Sequence, residues 1–199
     1  MGRALALELA SRGCAVAIAD IGTAALEETR SMLRDSQVAV SSHIVDVADR
    51  AAMERFAADV VLNTSSIFGV VAFPSQGAYN ASKFAVRGFT EALRQELADT
   101  HIGVSCVQPG GVKTNIVKTS RYYAADNEAP TKEELTKSFE ELAALTPHDA
   151  AMQILRGVEG NRGRVLVGKD AKLLAWIARL FPESYARRLG SMAKVLQRN

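Results

Sequence analysis

The sequence predicts an α/β fold in which helices cover both faces of a parallel sheet. Two observations predict it. Short apolar runs typical of strands alternate along the chain with longer stretches of helical periodicity, and this alternation indicates a parallel sheet. The chain has 199 residues, 48% of them hydrophobic, which suffices for one sizeable core. We therefore expect a single domain over residues 1–199, with no internal repeat.

The first elements follow from hydrophobic spacing. Leu5 and Leu9 lie one helical turn apart, and Gly13 is placed to end this first helix. Residues 14–20 form a nearly continuous apolar run, which predicts a strand buried on both faces. Thr23 is then expected to cap a second helix.

The middle of the chain continues the alternation. Residues 38–47 indicate a strand that ends around Asp46. A third helix is predicted from three apolar residues at helical spacing, Met53, Phe56 and Val60. Residues 61–65 indicate the next strand, and a loop leads from it into a long helix at about residues 78–97.

The last third of the chain adds two strands and two helices. Residues 102–107 and 164–168 indicate the strands. Between them, residues 113–145 are polar and mixed, so we expect a mobile segment with one helix near its end. Thr146 and Pro147 predict the start of a further helix, because a capping hydroxyl followed by proline is typical of a helix N-terminus.

Three polar residues are the candidates for a catalytic site. Tyr79 and Lys83 are four positions apart in the predicted long helix, so they lie on one face. A phenol titrates at about pH 10 in water, and a neighbouring cation favours its ionised form. Tyr79 is therefore suited to donate or accept a proton near neutral pH. Ser66, placed 13 positions earlier, could hydrogen-bond the oxygen that gains or loses this proton.

These three side chains resemble the Ser-Tyr-Lys set of the short-chain dehydrogenase/reductase family. The resemblance also rests on the Asn-Thr-Ser-Ser-Ile-Phe-Gly strand end at residues 63–69 and on Pro109-Gly110 after a later strand. It extends over roughly residues 2–168. It implies a Rossmann-like, doubly wound parallel sheet, and it places residues 113–145 on the substrate side.

The resemblance implies a role for each of these residues. Tyr79 would be the general acid/base, and Ser66 would orient the substrate carbonyl or hydroxyl. Lys83 would favour the ionised tyrosine and hydrogen-bond the nicotinamide ribose, so Tyr79 and Lys83 both lie against the cofactor. Val112 would contact the carboxamide, and Thr114 the carboxamide or the pyrophosphate. The implied cofactor contacts after the strand are Pro109, Gly110, Val112 and Thr114.

The resemblance also indicates which dinucleotide is bound. Gly2 would be the last glycine of a phosphate-binding turn, and Asp20 ends the first predicted strand 18 residues later. An acidic side chain there can bind both adenosine ribose hydroxyls and would repel a 2′-phosphate, so NAD is favoured over NADP. Asp46 resembles the family aspartate that contacts the adenine amino group. An ordinary strand-end or helix-capping role for Asp46 is equally open.

Two family elements have no counterpart in the sequence. The family begins with a strand and a Gly-rich turn, of which only Gly2 is expected to remain. Near residues 59–62, the predicted third helix runs almost directly into the strand before Ser66. The family places there an Asn-Asn-Ala-Gly strand and a helix with the catalytic asparagine, a role that neither Asn63 nor Asn80 fits.

We therefore expect an incomplete sheet that lacks its two central strands. The strand at residues 14–20 would then pair directly with the strand at residues 61–65, or the two halves of the chain would fail to dock. Loss of central strands exposes apolar edges and helix faces.

Composition and residue spacing limit the other functions that the chain could have. The net charge of +2 gives no reason to expect nucleic-acid binding. No secretory signal is recognised, and a cytoplasmic location is expected. His43, His101 and His148 are scattered without ligand spacing, so no metal site is expected. Cys14 and Cys106 fall within apolar runs, which predicts two buried free thiols.

Two apolar stretches leave alternatives open. Residues 169–199 form a basic amphipathic tail with seven Lys/Arg against two acidic residues, a local charge of +5. The tail is expected to cover the substrate cleft or to pack on a neighbouring subunit, and contact with a membrane surface is the less favoured reading. The other stretch either lines a lipophilic substrate pocket or forms core under the long helix: Phe68, Val70, Val71 and Phe73.

The leading prediction is an NAD(P)-dependent oxidoreductase that transfers a hydride between nicotinamide and a small secondary alcohol or ketone, with a lipophilic substrate as one alternative. The resemblance also implies a homo-oligomer. The competing prediction is a catalytically inactive fragment that acts only through protein–protein association, by way of the long helix at residues 78–97.

Overall fold

Helices and parallel strands alternate along the chain in the computed structural model, which describes residues 1–45, 60–74, 76–120 and 131–189. The strands are β1 Val16–Asp20, β2 Val40–Ile44, β3 Val60–Thr64, β4 Gly103–Pro109 and β5 Arg164–Val167. The helices are α1 Gly2–Ser11, α2 Thr23–Met32, α3 Gly77–Glu96, α4 Ile116–Thr119, α5 Lys132–Leu142, α6 Pro147–Glu159 and α7 Lys169–Leu180. A 3-10 turn, Ile67–Gly69, follows β3.

Several predicted helix ends are confirmed. Gly13 has a φ of +80° just after α1, and its N–H donates to the carbonyl of Ala10. This left-handed conformation is one that glycine adopts at no steric cost. At α6, the Thr146 hydroxyl accepts a hydrogen bond from the Asp149 N–H at 3.1 Å, and Pro147 occupies the first helical position. Both helices thus begin or end where local chemistry predicts.

Two predictions about local structure are wrong. Thr23 does not cap α2 but is its first residue, and the turn before it is closed by Asp20, whose Oδ1 accepts from the Gly22 N–H at 2.7 Å. Val60 belongs to β3 and not to a helix, because it pairs with Gly103 in a parallel ladder. The rest of the predicted third helix and Asp46 lie outside the described residues.

The described strands form two parallel sheets. One has the order β1-β2, with Val16 opposite Val40, and the other the order β3-β4-β5, with Val61 opposite Val104 and Cys106 opposite Arg164. The expected pairing of β1 with β3 is absent among these strands, which corrects that prediction. The small sheets are consistent with the expected incomplete Rossmann-like fold.

The two sheets dock through helices rather than through strand pairing, so the prediction that the halves would fail to dock is also wrong. Helix α1 packs on α6. The Arg12 Nη1 lies 2.6 Å from the Glu159 carboxylate, and Met1 and Leu5 pack against the core beneath β4 and β5. Burial of these apolar groups supplies the driving force, because an exposed ion pair contributes little.

Within the described part of the chain, strand β1 is covered on one face only, which corrects the expectation of burial on both. Val16 is buried, but Ala17, Ala19 and Asp20 are exposed. Cys14 lies before the strand and is also exposed, contrary to the prediction of a buried thiol. The reason is that α1 and α2 cover one side of this two-stranded sheet.

Strand β4 carries helices on both of its faces. Val107 joins the core formed with Ala150 and Ile154 of α6. Cys106, the preceding residue, points to the opposite face because side chains alternate along a strand, and there it lies toward Thr90 of α3. Cys106 is fully buried, as predicted. None of the described helices is long and apolar enough to cross a membrane.

Candidate active site

Ser66 lies directly after β3, at the carboxyl edge of the three-stranded sheet. Its Oγ accepts a hydrogen bond from the Phe68 N–H at 3.2 Å and so caps the 3-10 turn. The neighbouring Ser65 donates its hydroxyl proton to the Lys83 carbonyl at 2.7 Å, which ties the turn to α3. Gly69 permits this approach, because a Cβ there would lie 2.6 Å from the Lys83 carbonyl oxygen.

Tyr79 and Lys83 occupy the first turns of α3, on the face predicted from their spacing. The Lys83 Nζ lies 5.5 Å from the centroid of the Tyr79 ring and donates to the Thr64 carbonyl at 3.3 Å. Burial lowers the pKa of Lys83 because a partly desolvated ammonium is disfavoured. The half-buried ammonium therefore sits between the end of β3 and the tyrosine ring.

Aromatic side chains form one wall beside Tyr79. The Phe68 ring packs edge-on to the Tyr79 ring with centroids 5.8 Å apart, and it stacks on Phe73 at 4.7 Å. Phe68 and Phe73 also pack on a buried cluster that contains Val71 and Ala171. The apolar run after Ser66 therefore forms core, but this core lies against α7 as well as beside Tyr79.

The Pro109-Gly110 turn is held from two sides at the end of β4. The Gly110 N–H donates to the Val167 carbonyl at 2.9 Å, and the Gly111 N–H donates to the Asp170 carboxylate at 2.6 Å. A Cβ on Gly110 would collide with the Asp170 carboxylate. The turn therefore belongs to the same strand edge as Ser66.

The residues after this turn point in different directions. The Val112 side chain is 3% exposed and joins the core of β4, β5 and α6, so only its backbone faces the strand edge. Val112 also forms an isolated bridge with Leu145. Thr114 is half-buried and lies just before α4. A contact from Val112 to a carboxamide would accordingly use main-chain atoms.

Gly2 and Asp20 lie on α1 and at the end of β1. Gly2 opens α1 and is exposed, with open space where a Cβ would lie. Asp20 is exposed at the carboxyl end of β1. The structure thus brings together Ser66, Tyr79, Lys83 and the turn after β4, whereas Gly2 lies on the helix that joins the two sheets and Asp20, the predicted ribose contact, ends a strand of the other sheet. Asp46 lies outside the described residues.

Two site features escaped sequence reasoning. Asp170, 59 residues after Gly111, holds the turn after β4, and the Tyr185 hydroxyl accepts from the Ala72 N–H at 3.2 Å. The only local signal for Asp170 was its place in the first turn of a helix, where acidic residues are common. Among the described residues, no group of three His, Cys, Asp or Glu side chains could hold a metal ion.

The fold and this arrangement define a class of protein. It is a Rossmann-like α/β protein with parallel strands, in which Ser66 at a strand end lies beside a helix that carries Tyr79 and Lys83 one turn apart. The family model described as short chain dehydrogenase matches residues 57–124. This match and the fold support membership of the short-chain dehydrogenase/reductase family.

Relatives of known sequence agree with this assignment. The chain is 45% identical to "Putative oxidoreductase SadH" of Mycobacterium tuberculosis over 130 residues. This aligned segment is 64% of this chain and 46% of that protein. It is 54% identical to 3-ketodihydrosphingosine reductase of Bacteroides thetaiotaomicron over 54 residues, 27% of this chain and 20% of that protein. The chain thus matches less than half the length of either relative.

Solved structures show the same fold. A short-chain dehydrogenase/reductase from Burkholderia phymatum in complex with NAD superposes with a TM-score of 0.71 at 24% identity, covering 92% of this chain and 90% of that chain. A short-chain dehydrogenase from Sphingobium yanoikuyae in complex with NADPH superposes with a TM-score of 0.64 at 17% identity, covering 96% and 91%. The likeness at these identities concerns the fold alone.

Proposed function

We propose that the protein is an NAD(P)-dependent oxidoreductase that interconverts a secondary alcohol and a ketone. The observation that carries this proposal is the placement of Lys83 Nζ 5.5 Å from the Tyr79 ring, beside the strand end that bears Ser66. A phenol next to a partly buried ammonium is a suitable proton donor and acceptor for an alcohol oxygen.

Each side chain then has a separate task. Tyr79 gives its hydroxyl proton to the ketone oxygen or takes the proton from the alcohol. Ser66 already accepts a hydrogen bond from the Phe68 N–H, and accepting this bond leaves the serine proton available for the substrate oxygen. Lys83 provides positive charge beside the phenol, so a developing phenolate is stabilised without movement of solvent.

The residues present suit the nicotinamide half of a dinucleotide. The half-buried Lys83 ammonium is a donor for ribose hydroxyls, and the turn after β4 lies at the same strand edge. A bound nicotinamide supplies or accepts the hydride. Pro109, Gly110, Val112 and Thr114 would complete these contacts, and Gly2 would lie against the pyrophosphate.

The choice of NAD over NADP rests on Asp20. Its exposed carboxylate ends β1 and already closes the local turn through Gly22. A second carboxylate oxygen can accept from a ribose hydroxyl, whereas a 2′-phosphate would meet like charge. Asp46 is proposed as a contact to the adenine amino group.

A lipophilic substrate fits the surroundings of the tyrosine. Phe68 presents its ring edge-on to Tyr79, and one relative of this chain is named as a reductase of a long-chain ketone, 3-ketodihydrosphingosine. Residues 113–145 would form the substrate side of the site. A homo-oligomer in the cytoplasm is part of the same proposal.

The test compares two tyrosine variants. Oxidation of NADH and NADPH is followed with a panel of aliphatic and aromatic ketones, and dinucleotide binding is measured by calorimetry. Tyr79→Phe should lower turnover by about a hundredfold or more, the usual contribution of a general acid, with binding of NADH retained. Tyr185→Phe removes a hydroxyl that binds the Ala72 N–H but transfers no proton to the substrate in this proposal, so it should keep turnover within a few-fold of the wild type.

Two results would contradict the proposal. Equal turnover by the wild type and Tyr79→Phe would remove the tyrosine from the chemistry. Absence of dinucleotide binding and of turnover in the wild type, together with retained association with a protein partner, would instead support the non-catalytic alternative.

A further inference from the structure

Helix α7 buries one of its faces behind the candidate active site. Ala171 is fully buried, and Leu174, Ala175 and Ala178 are half-buried against the cluster that contains Val71. At about 100° per residue these positions share one side of the helix. The inner face thus accounts for only part of the apolar content of α7.

The opposite side of α7 carries a second apolar stripe that faces away from the protein. Leu173, Trp176 and Leu180 are 54%, 62% and 59% exposed. They are spaced at i, i+3 and i+7, so they form one continuous line along the helix, which we call the outer stripe. Three large exposed side chains in line are a feature that folding alone does not explain.

Positive charge accompanies the outer stripe. Lys169 lies four residues before Leu173, Lys172 lies four residues before Trp176, and all three basic side chains of α7, including Arg179, are exposed. The only acidic side chain in α7 is Asp170, which lies to one side of the stripe. The Asp170 carboxylate also accepts from the Gly111 N–H. The outer side of the helix is therefore apolar along its centre and cationic at its margin.

We propose that the outer stripe of α7 docks on a membrane surface that contains anionic lipid. Apolar side chains beside lysine and arginine are the pattern of a helix that lies in the plane of the interface. Trp176 is of a residue type that concentrates at the level of the lipid headgroups. With 12 residues and a rise of about 1.5 Å each, α7 lies along a bilayer and cannot span it.

A lipid surface fits this face better than a folded protein partner does. The outer stripe offers three side chains on a single short helix, and a stable protein interface buries about 800 Å² on each partner. A bilayer needs no complementary shape, and near its surface each basic residue contributes about 1 kcal/mol. Docking would also bring the inner face of α7, and the Ser66 turn behind it, close to lipid-dissolved molecules.

The chain carries its own reporter for this proposal, because Trp176 is its only tryptophan. Vesicles of phosphatidylcholine alone and of equal parts phosphatidylcholine and phosphatidylserine are added to the full chain. The emission of Trp176 should shift to the blue with the anionic vesicles, and the protein should sediment with them. Added salt should reverse both effects, because it screens exposed charges.

Charge-matched variants separate this face from the net charge of the protein. The first removes the basic margin of the outer stripe: Lys169→Gln, Lys172→Gln and Arg179→Gln. The second removes three lysines of α4 and α5: Lys118→Gln, Lys132→Gln and Lys137→Gln. The first should weaken vesicle binding by about a hundredfold, and the second should leave it within a few-fold of the wild type. Circular dichroism checks that both variants are folded.

Three outcomes would overturn the proposal. The first is an unchanged Trp176 emission with anionic vesicles, and the second is an equal loss of binding in the two variants. The third is burial of Trp176 without lipid in a self-associated species, detected by sedimentation velocity, which would assign the face to a second copy of the chain. If the charge variant proves unfolded, Leu173→Ser serves in its place and should weaken binding while Lys118→Gln does not.

Discussion

The carboxylate of Asp170 accepts a hydrogen bond from the Gly111 N–H at 2.6 Å, so the first turn of α7 holds the turn that follows β4. The two residues are 59 positions apart in the sequence. By this contact, the segment proposed to lie on the membrane is joined to the strand edge proposed to hold the dinucleotide. Because the Asp170 carboxylate is exposed, this hydrogen bond contributes about 1 kcal/mol or less.

The first prediction concerns this contact. Asp170→Ala should loosen the turn at Gly111 and raise the KM for the dinucleotide several-fold, while kcat changes less, since the side chain does not reach the reacting atoms in the proposal. Asp170→Asn keeps an acceptor oxygen, so its KM should lie between those of the wild type and Asp170→Ala. Asp99→Ala, an exposed acid after α3, is the control. Steady-state kinetics decide, and an unchanged KM in Asp170→Ala would show that the turn needs no support.

The second prediction concerns the close approach of the Ser66 turn to α3. Gly69→Ala would place a Cβ 2.6 Å from the Lys83 carbonyl and in collision with the Ser65 hydroxyl. This overpacking should cost about 1–3 kcal/mol of stability and displace Ser66. The melting temperature and the turnover should both fall.

The matched control for Gly69→Ala lies in the same region of the fold. Gly88→Ala, in the interior of α3, meets open space and should stabilise the helix by up to about 1 kcal/mol. If the two variants have the same melting temperature, the packing of the Ser66 turn on α3 is looser than the structure indicates.

The third prediction concerns the two thiols. Cys14 is exposed and Cys106 is fully buried. A thiol reagent should therefore modify one cysteine in the native protein and two in denaturant. Cys14→Ser should abolish the native reaction. Rapid native labelling of Cys106 would contradict the packing of β4 beneath α3.

Cys106 also predicts how stability changes with pH. Burial raises the pKa of its thiol above the ordinary value of about 9. The folded state therefore keeps the proton to higher pH than the unfolded chain does, and this contribution to stability decreases as pH rises above about 9. The free energies of unfolding of the wild type and Cys106→Ala, measured with denaturant, should therefore converge as pH rises above about 9. Cys14→Ala is the comparison variant.

The fourth prediction concerns an ion-pair network that ties β5 to α3. Arg164 Nε lies 2.5 Å and Arg87 Nε 2.9 Å from the Glu91 carboxylate. Burial alone would raise the pKa of Glu91, but hydrogen bonds from Arg164 and Arg87 outweigh it and hold the pKa below its ordinary value. This network contributes stability that is present above about pH 4.5 and is lost as pH falls.

Glu91→Gln should accordingly lower the free energy of unfolding at pH 7 by about 1 kcal/mol, a small value because the carboxylate is a third exposed. The difference from the wild type should shrink as pH falls below about 4.5. Glu96→Gln at the end of α3 is the control. A difference that stays constant with pH would attribute the effect to packing rather than to charge.

Much of the local structure could be predicted from sequence because it depends on neighbouring residues. The start of α6 at Thr146 and Pro147 and the end of α1 before Gly13 follow capping rules that act within one helical turn. The common face of Tyr79 and Lys83 follows from helical periodicity alone. The prediction failed at Thr23 because the helix begins one residue earlier, with the Leu26 N–H bonded to the Gly22 carbonyl.

The contacts between distant segments could not be predicted in this way. The Asp170 to Gly111 hydrogen bond and the Arg12 to Glu159 ion pair join residues with no sequence relationship. The one-sided burial of β1 depends on which elements pack against it, a property that its apolar composition does not contain.

The sequence by itself therefore determined the α/β class, the positions of most elements and the Ser-Tyr-Lys set that indicates the family. Only the tertiary structure decided that β1 and β3 lie in separate sheets joined through α1 and α6, and that α7 buries one face while it exposes the outer stripe. The physical reason is that periodicity and capping are local, whereas burial depends on the summed contacts of segments that the sequence separates.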